Sequence, residues 1–255
     1  MDLGLNDKVA VVIGTRSIGR DVALGLGREG AKVVAHYNRS DSTANEIVTI
    51  LGSEGHSAIS VKADASDEAQ VHALFDKAIE AYGHVDILVH AAAIWPTHSV
   101  EEMELVDFED CMRINTTSVF LTNRWMTRHL LARGAKGHIL NFTSQAAFRG
   151  STTHHAHYAA SKAAIVAFSI SLAREMAPNG ILVNCIAPGL AYSEMASVAF
   201  EGADPEKEEY YKKRIPLGRI AQPHEVADFA VFAVSGKNTY MTGATLDLSG
   251  GILMR

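Results

Sequence analysis

A tyrosine and a lysine stand four residues apart in the segment Tyr158-Ala159-Ala160-Ser161-Lys162. The alanine-rich sequence after them is typical of a helix to about Ala177, in which positions i and i+4 lie one turn apart on one face. A phenol with an ordinary pKa of about 10 transfers protons poorly at neutral pH. Because an ammonium group favours the phenolate, we expect Lys162 to lower the pKa of Tyr158 and permit proton transfer.

A second candidate site follows the first apolar segment, where Gly14-Thr15-Arg16-Ser17-Ile18-Gly19 leads into a predicted helix over Arg20–Arg28. Glycines between a strand and a helix let the backbone approach a pyrophosphate, and the helix N-terminus binds it through free N–H groups. The pattern is not GxGxxG, and a tight turn that needs glycine only for packing would look similar.

The next candidate segment reads His36-Tyr37-Asn38-Arg39-Ser40. It lies about twenty residues beyond the glycine turn, where an NAD-binding unit usually places a carboxylate against the ribose. No carboxylate stands here to repel a 2′-phosphate. Arg39 can bind that phosphate, with Ser40 donating a hydrogen bond and Arg16 approaching from the glycine turn. The segment favours NADP, and NAD stays possible.

The elements that must position these groups are apolar strands alternating with segments of helical period. The predicted strands are Val9–Ile13, Lys32–Tyr37, Ser57–Val61, Ile87–His90, His138–Phe142, Ile181–Ile186 and Thr245–Leu248. Continuous apolar runs suit strands that are buried on both faces of a parallel sheet. We therefore predict an α/β fold, with residues 1–255 forming one doubly wound Rossmann-type domain: a parallel sheet of roughly seven strands and helices on both faces.

The segment Leu190–Arg214 does not fit the alternation of strands and helices, because it is charged, rich in small residues and poorly periodic. Ligands of open α/β sheets bind beyond the carboxyl ends of the strands. A long insertion that leaves a strand end is therefore a candidate substrate lid. A surface excursion without a role is the alternative.

Composition excludes several classes of protein. The formal net charge is −6 without long charged runs, which argues against nucleic-acid binding. The first residues lack the features of a secretory signal, and we expect no membrane-spanning segment. Cys111 and Cys185 form no metal-binding or disulfide pattern, and the cluster His154, His155 and His157 lacks further ligands. We expect a cytoplasmic protein with two reduced thiols and no metal.

Further motifs occur in a characteristic order along the chain. They are Asp64 in KADAS, His90–Ala93 (HAAA), Asn115 in RINTTSVF, Ser144 in ILNFTS, Tyr158 with Lys162, Val183–Gly189 (VNCIAPG), Ile215–Arg219 (IPLGR), and Thr242-Gly243 before Ser249-Gly250-Gly251. Together with the glycine turn, this order resembles the short-chain dehydrogenase/reductase family from Lys8 to about Gly251. The resemblance implies an oxidoreductase that moves a hydride between a nicotinamide and a carbonyl or alcohol carbon.

The resemblance also implies roles for individual residues. Tyr158 would donate or accept the proton, Lys162 would hold the nicotinamide ribose, and Ser144 would hydrogen-bond the substrate oxygen. Asn115 would break the regular helix pairing and anchor a water that links Lys162 to solvent. The remaining cofactor contacts would come from Gly14, Arg16, Ser17, Ile18, Gly19, Tyr37, Asn38, Arg39, Ser40, Asp64, Ala65, Ala91, Ala92, Pro188, Gly189 and Ser193, with Asp64 on the adenine and Ile186 near the nicotinamide ring.

The chain departs from the family pattern at three places. The glycine turn is one residue short, with Ser17 where a glycine is usual, and serine restricts φ. His90-Ala91-Ala92-Ala93 replaces NNAG, and the interval from Ser144 to Tyr158 is one residue longer than is common. The segment His36–Ser40 resembles that of NADPH-using members such as pteridine reductases.

Substrate and assembly are the least determined expectations. The loops around Tyr158 contribute polar groups, and we expect Trp95, Gln145, His155 and Tyr192 to contact a small polar carbonyl or polyol. The predicted helices Asn115–Arg133 and Tyr158–Ala177 carry apolar or small residues on more than one face, including Val119, Ala163, Ile170 and Leu172. One face must cover the sheet and the other needs a partner, so we expect a homotetramer.

Two other functions fit the same fold. A lyase similar to haloalcohol dehalogenases would explain the altered glycine turn, although such enzymes carry arginine where Lys162 stands and would leave Arg39 idle. A non-catalytic dinucleotide-binding protein is the other alternative, and the complete set of Asn115, Ser144, Tyr158 and Lys162 argues against it.

Overall fold

The computed structural model describes residues 1–151, 154–193 and 205–253. Within them, seven parallel strands form one sheet in the order β3-β2-β1-β4-β5-β6-β7. Their bounds are β1 Val9–Ile13, β2 Lys32–Tyr37, β3 Ala58–Lys62, β4 Ile87–His90, β5 Gly137–Phe142, β6 Ile181–Pro188 and β7 Thr245–Leu248.

Helices cover both faces of this sheet. Their bounds are α1 Ile18–Arg28, α2 Ser42–Ser53, α3 Glu68–Tyr82, α4 Leu105–Met112, a π-helix Arg113–Thr117, α5 Ser118–Arg133, α6 Ala146–Arg149, α7 Ala156–Met176, a 3₁₀ turn Ala177–Asn179, α8 Pro205–Arg214 and α9 Pro223–Ala233. Helices α1, α2 and α9 pack in one apolar layer, and α3, α5 and α7 pack in the other. The predicted doubly wound α/β architecture is confirmed.

The central strands form because their side chains are apolar on both faces. Every residue of β1 is buried, and its sequence VAVVI contains branched side chains suited to a pleated surface. Strand ends differ little from the predictions: β3 begins one residue later, and β6 continues to Pro188.

Helix α3 shows how local signals set element ends. Asp67 precedes the helix, and its carboxylate accepts a hydrogen bond from the Gln70 backbone nitrogen at 3.0 Å. Gly83 ends the helix in the left-handed conformation with φ of 83°.

Strand order places the candidate sites together. The chain moves outward from β1 to β2 and β3, then returns to the other side of β1 at β4. Such a reversal leaves a crevice at the carboxyl ends of the strands, which is where α/β proteins bind ligands. The segments after β1, β4, β5 and β6 all open onto this edge.

Helix α7 is longer and more apolar than the sequence analysis assumed. Residues Ala156–Asn179 meet the length and composition of a membrane span. In the fold, this stretch packs against β6 and α6, and its residues Ile165, Leu172 and Met176 are buried. It is a core helix of the domain in this structure.

Candidate active site

The loop from β1 to α1 lies directly on the segment that follows β4. Gly14 has a φ of 82°, and a Cβ atom there would stand 2.6 Å from the Ala92 backbone. A Cβ atom at Gly19 would stand 1.9 Å from the Gly14 carbonyl oxygen. Both glycines are therefore required by the path of the loop. Ser17 between them adopts φ of 46°, a conformation that L-amino acids rarely take.

His36 supports this loop from the neighbouring strand. Its Nδ1 atom accepts a hydrogen bond from the Gly14 backbone nitrogen at 3.1 Å, and its Nε2 atom lies 2.9 Å from the Ala63 carbonyl oxygen. Thr15 donates its hydroxyl to the His36 carbonyl oxygen at 2.9 Å. Burial lowers the pKa of His36, which keeps the ring neutral with its proton on Nε2.

The candidate adenosine contacts lie beyond the ends of β2 and β3. Asn38, Arg39 and Ser40 are exposed, and Tyr37 is half-buried. Asp64 accepts hydrogen bonds from the backbone and side chain of Ser66 at 2.9 and 2.7 Å. The adjacent Ala65 is buried.

A cavity of about 600 Å³ opens beside the glycine turn. Several predicted site residues line it: Arg16, Ile18, Gly19, Ala91, Trp95, Ser144, Gln145, Tyr158, Lys162, Pro188, Gly189 and Ser193. Other predicted site residues are outside the lining: Gly14, Ser17, Tyr37, Asn38, Arg39, Ser40, Asp64, Ala65, Ala92, Asn115, His155 and Tyr192. The cavity thus joins the candidate proton-transfer residues to the end of the glycine turn.

This cavity fits the nicotinamide half of a dinucleotide. Ile18 and Gly19 begin α1 and line the wall, so the positive end of the helix dipole borders the cavity, where a phosphate of the dinucleotide would lie. Gly189 lines the wall where its backbone passes close to Ser249: a Cβ atom would stand 2.7 Å from the Ser249 Cα.

Tyr158 meets Ser144 at the cavity wall. The side chains of Ser144 and Tyr158 line the same cavity, and Lys162 Nζ lies 5.8 Å from the centroid of the tyrosine ring. Lys162 is buried and donates from Nζ to the Phe142 carbonyl oxygen at 2.9 Å. Burial lowers the pKa of Lys162 to about 8.

The expected lowering of the Tyr158 pKa is wrong for this structure. Tyr158 is partly exposed to the cavity, but the protein around its phenol removes water and raises the pKa to about 12. The Ser144 hydroxyl acts on the pKa in the opposite direction and is the weaker effect. Helical spacing placed Lys162 near the ring, but desolvation outweighs any attraction between the two groups.

Asn115 occupies the π-helix between α4 and α5, where regular helix pairing is broken. Its Oδ1 atom accepts from the Ile94 backbone nitrogen at 2.8 Å, and its Nδ2 atom donates to the Ile94 carbonyl oxygen at 3.0 Å. Nδ2 also lies 3.0 Å from the Ser161 hydroxyl. Asn115 therefore joins the segment before Trp95 to the helix that carries Tyr158 and Lys162.

His90 stands where the family usually carries an asparagine, and its side-chain contacts could not be predicted from the sequence. Its Nδ1 atom lies 3.0 Å from the Thr122 hydroxyl, and its Nε2 atom lies 3.2 Å from the Ser118 hydroxyl. These contacts tie the end of β4 to α5 rather than to a neighbouring strand. Burial holds the pKa of His90 well below its usual value.

Trp95 separates His155 from the cavity. The two rings stack with centroids 4.3 Å apart, and His155 Nδ1 lies 2.8 Å from the Pro96 carbonyl oxygen. Trp95 also meets Tyr158 edge-on, with ring centroids 6.4 Å apart. His155 was expected to contact substrate, but here it is a buried support for Trp95.

The predicted lid, residues 190–214, is described in part, since 194–204 lie outside the described residues. Tyr192 donates its hydroxyl to Glu208 at 2.7 Å, which ties the start of the segment to α8. Tyr210, Tyr211 and Arg214 of α8 line the cavity. The sequence analysis gave these three residues no site role because the helix is strongly charged.

Comparisons with known proteins agree with this geometry. A family model described as enoyl-(acyl carrier protein) reductase matches residues 12–253. The chain is 32% identical over 256 residues to the 3-oxoacyl-[acyl-carrier-protein] reductase FabG of Aquifex aeolicus, covering 99% of this chain and all of that protein. It is 33% identical to glucose 1-dehydrogenase 2 of Bacillus subtilis, covering 98% and 96%.

A solved short-chain type dehydrogenase/reductase from Mycobacterium marinum superposes with a TM-score of 0.93 and 27% identity, covering 99% of this chain and 98% of that one. The chain belongs to the short-chain dehydrogenase/reductase family. It is an oxidoreductase of a family that uses nicotinamide cofactors.

Within this short-chain dehydrogenase/reductase, sequence reasoning missed His36, Arg214 and the two tyrosines of α8. His36 could have been suspected, because it is an ionisable residue directly after the apolar run of β2. Arg214 and Tyr210 gave no such signal, since their approach to the cavity depends on how α8 packs after β6.

Proposed function

We propose that this protein is an NADP(H)-preferring enzyme that transfers a hydride between nicotinamide and the carbonyl or secondary alcohol carbon of a small polar compound. The observation that carries the proposal is that Ser144, Tyr158 and Lys162 line one cavity, which the end of the glycine turn also lines. The bound nicotinamide dinucleotide supplies or accepts the hydride.

Each catalytic side chain has a distinct task. The Tyr158 phenol, with its pKa raised to about 12, is protonated at neutral pH and donates to the substrate oxygen during reduction. Ser144 donates a hydrogen bond to the same oxygen while negative charge develops there. Lys162, with a pKa of about 8, carries its charge at neutral pH and stabilises the tyrosinate left after proton transfer. Asn115 holds the Ile94 backbone and the Ser161 hydroxyl, and so positions Trp95 against the catalytic helix.

The residues that would hold the cofactor form a continuous path. Arg16, Ser17, Ile18 and Gly19 would bind the pyrophosphate, and Asp64 and Ala65 the adenine. The nicotinamide half would lie along Ala91, Ala92, Pro188, Gly189 and Ser193.

The preference for NADP rests on the loop after β2. Arg39 is exposed and makes no ion pair with a carboxylate in the described parts of the chain. Ser40 lies beside it, with its hydroxyl 2.9 Å from that of Ser42. Tyr37 stands where a carboxylate would select NAD. The likeness of His36–Ser40 to the corresponding segment of pteridine reductases supports the same preference.

A polar substrate is favoured by the cavity lining. Gln145 lines the cavity, and its Oε1 atom is buried without a hydrogen-bond partner among the described residues. The Gln145 amide, the Ser144 hydroxyl and the Arg149 guanidinium on the cavity lining offer hydrogen bonds to a polar substrate. The relatives do not decide this point, since their names include both an acyl-carrier substrate and glucose.

Binding and turnover together test the proposal against its alternatives. Quenching of nicotinamide fluorescence measures cofactor affinity, and a panel of sugars, polyols, small ketones, pterins and β-ketoacyl thioesters measures turnover with NADPH or NADP⁺. We expect binding and turnover of a polar member. A dehalogenase-like lyase would bind no nucleotide, and a dinucleotide-binding protein without activity would bind without turnover. A long acyl thioester as best substrate would contradict the polar pocket but not the hydride transfer.

We propose a homotetramer assembled through α5 and α7. Phe120 is 41% exposed and meets Phe168 edge-on, with ring centroids 6.2 Å apart. Val119 and Leu172 are buried within the chain itself, so the partner surface would centre on Phe120, Ala163 and Ile170 instead. Sedimentation of a pure monomer at micromolar concentration would contradict this assembly.

A further inference from the structure

The charged side chains that line the cavity in the described chain are all positive, although the protein as a whole is acidic. Arg16, Arg149, Lys162 and Arg214 line it, whereas none of the lining residues in the described chain is an aspartate or a glutamate. The whole chain carries a formal net charge of −6. Like charges gathered in a concave site raise the local concentration of an oppositely charged ligand. The described lining of the cavity is therefore cationic on a protein whose net charge is negative.

Two of these four residues, Arg149 and Arg214, are not among those proposed to bind the cofactor. Arg16 approaches from the glycine turn, and Lys162 donates to the Phe142 carbonyl oxygen beside Tyr158. Arg149, in contrast, ends α6, the short helix that begins two residues after Ser144. Arg214 ends α8, the helix that forms the described second half of the predicted lid. Both line the same cavity as Ser144 and Tyr158.

Neither arginine forms an ion pair with a carboxylate in the described part of the chain. Six other arginines form ion pairs with carboxylates, namely Arg20, Arg28, Arg113, Arg124, Arg133 and Arg219. Within the described residues, Arg149 and Arg214 form none. Arg214 instead donates to the Tyr210 hydroxyl and lies 5.1 Å from the centroid of that ring. This contact orients the guanidinium without cancelling its charge.

We propose that the substrate carries an anionic group, a carboxylate or a phosphate, that Arg149 and Arg214 bind while its carbonyl or alcohol carbon reaches Tyr158. The inference rests on the proposed function and narrows its substrate class. Guanidinium groups bind such oxygens through paired N–H donors. Both arginines are exposed, whereas Trp95 and Phe142 on the same lining are less so, and the anion would bind at the more exposed part of the lining.

Matched pairs of compounds that differ only in charge test the proposal. Acetoacetate is compared with methyl acetoacetate, and glucose 6-phosphate with glucose, each at saturating cofactor. We expect one charged member to be used with a kcat/KM about ten- to a hundredfold above that of its neutral partner, the effect of one or two charge-assisted hydrogen bonds. The two pairs separate a carboxylate site from a phosphate site.

Substitution of each arginine tests whether these two side chains cause the preference for the charged compound. Arg149→Gln and Arg214→Gln should each lower kcat/KM for the charged member far more than for the neutral member, and so remove most of the advantage of the charged member, while the Kd of NADPH stays the same. Arg28→Gln is the matched control, because Arg28 is an exposed arginine paired with Glu54 at the far end of α1. It should alter none of these quantities.

Calorimetry separates failure of the inference from failure of the proposed function. NADP⁺-loaded Tyr158→Phe protein is titrated with acetoacetate and with glucose 6-phosphate, which needs no turnover. Binding of a charged member that both arginine variants weaken supports the anion site even if hydride transfer is absent. Equal or better use of the neutral members, no binding of either charged member, or a charge preference that survives both substitutions would overturn it. NADPH binding without turnover of any panel compound would refute the proposed function alone.

Discussion

The imidazole of His36 joins the first amide of the glycine turn to the neighbouring strand: its Nδ1 atom lies 3.1 Å from the Gly14 backbone nitrogen. The opposite ring nitrogen meets the Ala63 carbonyl oxygen at 2.9 Å, so the neutral ring has both of its hydrogen-bonding positions filled. The conformation of the turn, and with it the candidate pyrophosphate site, depends on a side chain in β2.

His36→Phe should weaken NADPH binding roughly tenfold and lower the free energy of unfolding by about 1–3 kcal/mol, because two buried backbone groups lose their partners. His72→Phe is the control, since His72 is exposed on α3. Fluorescence titration and denaturant unfolding measure the two effects. An NADPH affinity equal to that of the wild type would show that the turn holds its shape without His36.

Ser17→Gly should stabilise the protein. The φ of 46° at Ser17 costs a residue with a Cβ atom about 1–2 kcal/mol and costs glycine little. For a chain of this size the gain corresponds to a rise in Tm of about 2–8 °C. The same substitution at Ser171, in the middle of α7, should lower Tm instead, because glycine weakens a helix. A lower Tm for Ser17→Gly would show that the serine contributes contacts that outweigh the backbone strain.

The strands could be predicted because continuous apolar runs such as VAVVI are typical of strands that are buried on both faces. The glycine turn and the pair Tyr158–Lys162 followed from spacing within one element. Effects that depend on packing between distant segments could not be predicted in this way. The Tyr158 pKa is one, since it follows the desolvation of the finished cavity rather than the lysine one turn away.

The position of Arg214 is another long-range effect. Its helix has a charged sequence typical of a solvated surface, and α8 contributes to the cavity only through the path of the chain after β6. His155 shows the reverse case. Its place just before Tyr158 suggested substrate contact, whereas Trp95, sixty residues earlier, stacks over it.

Arg39→Ala should weaken NADPH about ten- to a hundredfold and leave NADH nearly unchanged, because only NADPH offers a 2′-phosphate. Fluorescence titration with both nucleotides measures the two affinities, and Arg28→Ala controls for the general loss of a positive charge. Equal losses for both nucleotides would contradict a phosphate contact at Arg39.

Lys162→Met should abolish turnover yet stabilise the protein at neutral pH. The folded-state pKa of Lys162 is about 8 and the unfolded value 10.5, a difference that costs about 3 kcal/mol of stability at pH 7. Losing the bond to the Phe142 carbonyl offsets about 1 kcal/mol of the gain.

The sign of the pH dependence gives a second readout for Lys162. Between pH 8 and 10.5 the unfolded chain binds the extra proton, so the stability of the wild type rises with pH and approaches that of Lys162→Met. The measurement is urea unfolding from pH 7 to 9.5. Tyr158 does not interfere in this pH range, because its pKa of about 12 affects stability only above pH 10. The expectation fails if Lys162→Met is less stable than the wild type at pH 7, or if the free energies of unfolding of the two proteins change in parallel with pH. Either result would show that contacts of Lys162 offset the cost of burying its charge.

Turnover by Tyr158→Phe tests the central claim most directly, because phenylalanine keeps the ring and removes only the hydroxyl that transfers the proton. With the best substrate of the panel, stopped-flow measurement of nicotinamide absorbance compares kcat for the variant and the wild type, and fluorescence quenching compares their NADPH affinities. We predict unchanged NADPH affinity and a kcat lower by roughly a hundred- to ten-thousandfold, the usual contribution of a positioned acid or base. A variant that binds NADPH normally and keeps a substantial fraction of the wild-type kcat would contradict the assignment of Tyr158 as the proton donor.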